Sequence, residues 1–142
     1  MTFQVRTSSF EMQTAGFGDI LDITRQVAKG VSGSGLSDGT ATVFVPGSTA
    51  GITTIEYEPG AVEDLKKAIE RQASANLHYA HDTRWGDGNG FSHVRAALMG
   101  ASLTVPFIRS ELQLGTWQQI VLCDFDNRAR KREVLVQVMG AE

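Results

Sequence analysis

All three histidines of the chain, His78, His81 and His93, fall in one short segment that also carries Asp82, Asp87 and Asn89. Imidazole together with carboxylate suits zinc or another divalent cation such as magnesium. A single imidazole there equally suits general acid–base work near neutral pH. His81, His93 and Asp87 therefore stand as candidate metal ligands and as candidate catalytic groups. His78 fits an exposed loop position, and the spacing His78-x-x-His81 matches no strong zinc motif. Zinc-finger chemistry is excluded, because Cys123 is the only thiol. That cysteine sits in the apolar run Ile120-Val121-Leu122-Cys123, where a free thiol is ordinarily a buried one.

Around these residues runs Trp85-Gly86-Asp87-Gly88-Asn89-Gly90-Phe91-Ser92-His93. Glycine at every second position lets the backbone approach a ligand closely. The expectation is that Ser92 caps a helix over His93–Gly100, whose free N–H groups hold an anion. The same composition also suits a tight surface loop ahead of a helix. Ser48 and Thr49, with Thr53 and Thr54 nearby, surround the Pro46-Gly47 turn. Their hydroxyls and the adjacent N–H groups suit phosphate oxygens, or ordinary turn and strand chemistry. Glu56 is a further carboxylate, solvated or paired at a site according to its strand face. In Gly115-Thr116-Trp117-Gln118-Gln119 the indole offers a stacking face and the glutamine an amide, although the default place for the tryptophan is the core. The basic run Arg128, Arg130, Lys131, Arg132 reads as a solvated hairpin turn. No P-loop, dinucleotide fingerprint or nucleophile elbow occurs.

Positioning these groups falls to a mixed set of elements. Residues 2–8 alternate as a half-buried strand, Gly16–Gly18 break it, and Ile23–Lys29 suits a short helix followed by a Gly/Ser loop over 30–39. Thr40–Val45 and Gly51–Tyr57 are β-rich runs, expected to be neighbours across the Pro46-Gly47 turn, and Pro59-Gly60 ends the second. Over residues 61–74 Val62, Leu65 and Ile69 recur at helical spacing, opposite a charged face. Residues 76–90 are polar and carry His78, Tyr79, His81, Asp82 and Asp87. Strands follow at Leu103–Ile108, Glu111–Leu114, Trp117–Asp124 and Arg132–Met139, the last with Val134, Val136 and Val138 on one face. Hairpin-like strand runs with inserted rather than alternating helices predict an α+β fold, a single domain on an antiparallel sheet.

At 142 residues the chain suffices for one domain with a real core. A formal charge of −3 argues against nucleic acid, and no apolar run is long enough for a membrane span. The first ten residues lack the pattern of a secretory leader, so a cytoplasmic location is expected.

Taken together, Pro46-Gly47-Ser48-Thr49-Ala50 through Glu56, Trp85 to Gly100 with Ser92-His93, Ser102-Leu103-Thr104-Val105-Pro106, and Gly115-Thr116-Trp117-Gln118 with the terminal strand resemble the YjbQ-like family, also called secondary thiamine-phosphate synthase. The resemblance spans nearly the whole chain. It implies a compact α+β domain assembled as a homotrimer and a weak thiamine-phosphate synthase activity, which joins a pyrimidine-methyl diphosphate to a thiazole phosphate. The matching site positions are His81, His93, Glu56, Ser48, Thr49 and Gly115 to Gln118. Two positions depart: Gly47 and Phe91 stand where relatives often carry histidine, and each replacement removes a ligand or proton carrier. The expected roles follow. Asp87 and Glu56 are metal or acid–base carboxylates, His81 and His93 ligands or general acids. Ser48, Thr49 and Ser92 hold phosphate, and Thr116, Trp117 and Gln118 face the substrate. The alternative is a metal- or phosphometabolite-binding trimer without turnover.

Overall fold

Valines at every second position of the last strand organise the larger of two antiparallel sheets. The computed structural model describes residues 2–142. In chain order it contains β1 (Phe3–Thr14), β2 (Asp19–Asp22), α1 (Thr24–Ser32), β3 (Asp38–Phe44), β4 (Ala50–Ile55) and α2 (Pro59–Gln72). Then come α3 (Ala80–Trp85), α4 (Gly90–Met99), β5 (Ser102–Ile108), β6 (Glu111–Leu112), β7 (Gln119–Asp124) and β8 (Arg130–Ala141). The large sheet has the order β1-β8-β3-β5-β6 and the small one β2-β7-β4. The class is α+β, as the strand runs imply.

The small sheet is a middle layer. On β7, Ile120 and Leu122 join the main core with Val134, Val136 and Val138 of β8, Ala41 and Val43 of β3, and Val27 and Val31 of α1. The intervening Val121 and Cys123 join a second core with Ile20, Ala96 and Phe125, against which Val62, Leu65 and Ile69 of α2 pack. A strand buried on both faces needs a continuous apolar run, which is why Ile120-Val121-Leu122-Cys123 shows no alternation.

Several elements differ from expectation, each for a local reason. β3 and β4 are not paired: the Pro46-Gly47 turn carries the chain from the large sheet to the small one, β3 pairing with β5 and β8 and β4 with β7. Pro46 has no N–H and that of Val45 donates to Ala101 O at 3.0 Å, so no ladder forms across the turn. β1 runs on to Thr14 because its apolar side chains change face, from exposed Phe3 and Val5 to Phe10 and Met12 packed on the core. The short β2 escapes the pattern altogether. Helix α2 starts at Pro59: Glu58 is the N-cap and accepts from Gly60 N at 2.7 Å and Ala61 N at 3.1 Å, with proline in the first turn. Within the polar stretch 76–90, to which the sequence pattern assigns no element, lies α3. Helix α4 begins at Gly90 rather than His93, with Asn89 in the cap position.

Candidate functional site

Helix α3 and the loop that follows bring the acidic and imidazole groups together. His81 Nδ1 lies 3.4 Å from Asp82 Oδ1 and 3.4 Å from Asp87 Oδ1. The three ligand atoms fall within 4.8 Å of one another. A tetrahedral ion with bonds of about 2.1 Å separates its ligands by about 3.4 Å, so the group fits a divalent cation with little movement. The set includes Asp82, which the sequence reading left without a role, and omits His93. The His93 ring instead stacks beside that of His81, with centroids 4.5 Å apart and planes tilted by 42°. His93 Nδ1 is 3.2 Å from Ser48 O, and when it donates there its Nε2 is left as an acceptor. The cluster stays half-open to solvent: the His81, Asp82 and Asp87 side chains are 31 %, 25 % and 50 % exposed. His78 Nε2 pairs with Thr83 Oγ1 at 3.1 Å, away from these contacts.

The glycine loop holds this geometry because it is tied down at several points. Gly90 N donates to Asp82 Oδ1 at 2.8 Å, and a Cβ at Gly90 would sit 2.6 Å from Tyr79 Cβ, so only glycine permits the approach. Asn89 Oδ1 accepts from Asn127 N at 3.1 Å, and Asn127 Nδ2 donates to Asp87 O at 2.8 Å. Ser92 is wholly buried, with Oγ 2.6 Å from Asn89 O and 2.7 Å from Asn89 Oδ1. It is therefore an internal brace of the first helical turn. It is not the cap, and its hydroxyl is already spent.

Beneath the Ser48-Thr49 turn lies a buried polar network that the sequence reading missed. Arg132 Nε and Nη2 grip Asp124 at 2.7 and 2.8 Å, and Nη2 also donates to Thr49 Oγ1 at 2.6 Å. Thr49 Oγ1 donates in turn to Asp126 Oδ2 at 2.9 Å, and Thr14 Oγ1 to Asp124 Oδ2 at 2.6 Å. Arg130 Nε reaches Asp126 Oδ2 at 3.0 Å. Burial works to raise the Asp126 carboxyl, but Thr49, Arg130 and Asn89 outweigh it and hold the group below the usual carboxylate range. The hydrogen bonds that Arg132 donates to Asp124 push its guanidinium up from an already high value. The basic run is thus a solvated turn only in part: Arg128 and Lys131 are exposed, whereas Arg132 is 7 % exposed and Asp124 and Asp126 are fully buried. Thr49 belongs to this network, whereas Ser48 remains exposed.

The other expected site residues lie elsewhere on the chain. Glu56, Tyr57, Thr116 and Trp117 line a separate surface hollow, together with Asp22 and Glu58. Strand β4, six residues long, separates Thr49 from Glu56 by about 20 Å at ~3.3 Å per residue. Trp117 is 71 % exposed, against the default expectation of a core indole. The Gln118 amide closes its own loop, accepting from Gly115 N at 3.0 Å and donating to Thr54 Oγ1 at 3.1 Å. One copy of the chain therefore carries two groups of residues: His81, Asp82, Asp87, His93, Ser48 and Thr49 at one end of β4, and Glu56, Thr116 and Trp117 at the other. Cys123 is buried, and burial first, with Asp124 and Asp19, pushes its thiol up to about 12. A nucleophilic thiolate there is ruled out near neutral pH.

Comparison with known proteins places this architecture. The sequence profile described as UPF0047 protein YjbQ-like matches residues 8–141. A UPF0047 protein of Methanothermobacter thermautotrophicus is 34% identical over 137 residues, covering 96% of this chain and 94% of its own. UPF0047 protein YugU of Bacillus subtilis is 33% identical over 133 residues, covering 93% and 98%. The crystal structure of a YbjQ-like protein of unknown function from Sulfolobus solfataricus superposes with a TM-score of 0.93 at 31% identity, covering 98% of this chain and 99% of that one. A YjbQ/UPF0047 family structure from Clostridium acetobutylicum gives 0.84 at 36% identity, covering 92% and 98%. These names state a family and no activity. With profile, sequence and fold agreeing over almost its full length, the chain belongs to the YjbQ-like UPF0047 family.

Proposed function

We propose that the chain binds a divalent cation, zinc or magnesium, at His81, Asp82 and Asp87 and handles a small phosphorylated metabolite beside it, in a reaction of the thiamine-phosphate synthase type. The observation that carries this reading is the placing of His81 Nδ1 at 3.4 Å from both carboxylates, with the His93 ring stacked alongside. In such a reaction the demanding event is departure of diphosphate from the pyrimidine methylene, and a cation supplies positive charge to that leaving group. The chain's own groups supply the rest. Asp82 and Asp87 fix the His81 ring. His93, oriented through Ser48 O, offers Nε2 to accept or deliver a proton. Ser48 faces the ligand phosphate, while Thr49 and Ser92 hold the backbone that surrounds it. Glu56, Thr116 and Trp117 would face the aromatic part of the substrate only where a second copy brings them near.

That last point agrees with a homotrimer. The outer face of the large sheet carries the rows Val5–Met139–Thr40–Pro106 and Thr7–Gln137–Thr42–Thr104 without a charge. Phe3, Ile108 and Phe44 on the same sheet are 65 %, 51 % and 40 % exposed. Charged residues, Glu11, Glu133, Lys131 and Asp38, flank these rows on the same face, and exposed apolar side chains within a charged rim are characteristic of an interaction surface. A binding module without turnover is the second reading. It is favoured by Phe91, which is buried under the Arg95 guanidinium at 4.9 Å and brings no proton carrier to the position where relatives often have histidine.

The test is metal content of untagged protein, followed by melts with zinc, magnesium, diphosphate and thiazole phosphate, then an assay for condensation. A ligand at a hundredfold excess over Kd stabilises by about 2.7 kcal/mol and is readily seen. Metal lost in His81→Ala and product formed by the wild type support the enzyme. Metal and ligand bound without product select the second reading. No response to any of these removes both. No helix is long and apolar enough to cross a membrane among the described residues.

A further inference from the structure

We propose that Arg132 is the cation that reads the ligand's phosphate: a terminal oxyanion, phosphate monoester or diphosphate, docks on its Nη1 at the Gly47-Ser48 turn. The inference rests on the phosphorylated ligand proposed above and adds the group that recognises it. The Arg132 side chain is 8 % exposed. Two of its three nitrogens are spent inside the protein, on Asp124 and Thr49. Nη1 donates to no protein atom among the described residues.

Its direction is fixed by Gly47. A Cβ built on that residue would lie 3.0 Å from Nη1, and the position has φ +131°, a conformation that side chains rarely adopt. The guanidinium edge therefore opens where glycine leaves the surface bare. Gly47 and Ser48 are both exposed, and their backbone N–H groups find no acceptor among the described residues. Three donors without a protein acceptor thus belong to one turn and its lining: Nη1 against Gly47, and the N–H groups of Gly47 and Ser48. The bidentate grip of Asp124 holds the guanidinium plane still, so little side-chain freedom is lost when an anion binds.

Charge defines the class of ligand. Asp124 and Asp126 balance Arg130 and Arg132 within the network. Attraction thus comes from directed hydrogen bonds and not from a broad positive field, which suits a terminal phosphoryl oxyanion of a small molecule over an extended polyanion. His93 is tied to the same turn through Ser48 O, so an oxyanion seated there lies beside the imidazole.

Replacing Arg132 directly removes a buried partner of Asp124 and risks unfolding, so the test uses two other readouts. In isotope-labelled full-length protein treated with EDTA, inorganic diphosphate at millimolar concentration is added while the Arg132 side-chain resonances are followed. The expected result is a saturable shift of those resonances and a higher melting temperature. Gly47→Ala, whose methyl group fills the space at Nη1 and leaves the Asp124 pair in place, weakens diphosphate binding about tenfold or more. Unmoved Arg132 resonances, or equal affinity in Gly47→Ala with its fold confirmed by circular dichroism, overturn the inference. Diphosphate that binds only with zinc or magnesium present, and not in His81→Ala, overturns it too and leaves the metal-centred reading standing. Metal-free binding at Arg132 in a protein that takes up no metal supports it and removes the metal from the proposed function.

Discussion

Replacing Arg132 by methionine tests the network under the Ser48-Thr49 turn. The substitution keeps an unbranched apolar stem but removes the bonds to Asp124 Oδ2 at 2.7 Å, Asp124 Oδ1 at 2.8 Å and Thr49 Oγ1 at 2.6 Å. Asp124, fully buried, keeps only the Thr14 hydroxyl at 2.6 Å and the Asp126 N–H at 3.1 Å. Removing one partner of such a pair costs about 3–5 kcal/mol, chiefly because the other charge is left behind. For a chain of 142 residues the unfolding entropy is about 0.3 kcal/mol/K, so the melting temperature drops by about 10–17 °C. The double variant Asp124→Asn/Arg132→Met carries no stranded charge: the amide Oδ1 still accepts from Asp126 N–H, and its Nδ2 can donate to the Thr14 hydroxyl oxygen. It should recover about 1 kcal/mol or more of the loss. Urea unfolding followed by circular dichroism measures both, at one fixed protein concentration because self-association shifts midpoints. A loss under about 1 kcal/mol in Arg132→Met, or a double variant no more stable than the single one, would show that the pair does not act as a buried ion pair.

Other expectations follow from the same structure. Zinc binding measured calorimetrically should weaken about a hundredfold in His81→Ala or Asp87→Asn and less than tenfold in His93→Ala, since His93 stands beside the three-atom set; the reverse order would move the metal site to His93. The folded-state carboxyl of Asp126 is held low, so its contribution is present above the unfolded value near 4 and lost as pH falls through the lower folded value. The acid limb of stability against pH should therefore be less steep in Asp126→Asn, by up to about 1.4 kcal/mol per pH unit; an unchanged slope would count against the shift. Cys123, buried with its thiol pushed up to about 12, should resist a thiol reagent at pH 8 until urea unfolds the chain, and prompt labelling of native protein would contradict its placing. Light scattering at micromolar concentration should give a mass near three chains, and a monomer would remove the proposal that copies complete one another's site.

Much of this was legible in the sequence where a pattern repeats. The α2 stripe of Val62, Leu65 and Ile69 and the β8 valines lie where periodicity puts them. The Arg132 network was legible too, by a rule applied too narrowly. Arg132 has the same parity as Val134, Val136 and Val138, and Asp124 the same parity as Ile120 and Leu122. Strand alternation alone thus directs both charges at the core, where they must meet a partner of opposite sign. Reading the run as a string of basic residues hid that. The clustering of His81 and Asp87 was visible from their closeness in sequence, whereas the inclusion of Asp82 depends on the turn that folds Gly90 N–H back onto its carboxylate.

The remaining mismatch is informative because it is geometric. The sequence reading gathered Glu56, Thr116 and Trp117 with the histidines, and β4 holds them about 20 Å apart within one chain. Neither end is finished by itself. The histidine end has imidazoles and carboxylates but leaves its ligand atoms half-open, and the Trp117 end has an indole 71 % exposed with acidic neighbours and no basic side chain lining it. An isolated subunit gains nothing by leaving a large indole in water. A cyclic assembly, in which one face of each copy meets a different face of the next, would set one end against the other while covering the uncharged outer rows of the large sheet. On that argument Trp117→Ala, exposed in the single chain and so nearly neutral for its fold, should still lower the affinity for the aromatic half of the substrate. Affinity for inorganic diphosphate should stay unchanged, because that probe engages the Arg132 end alone.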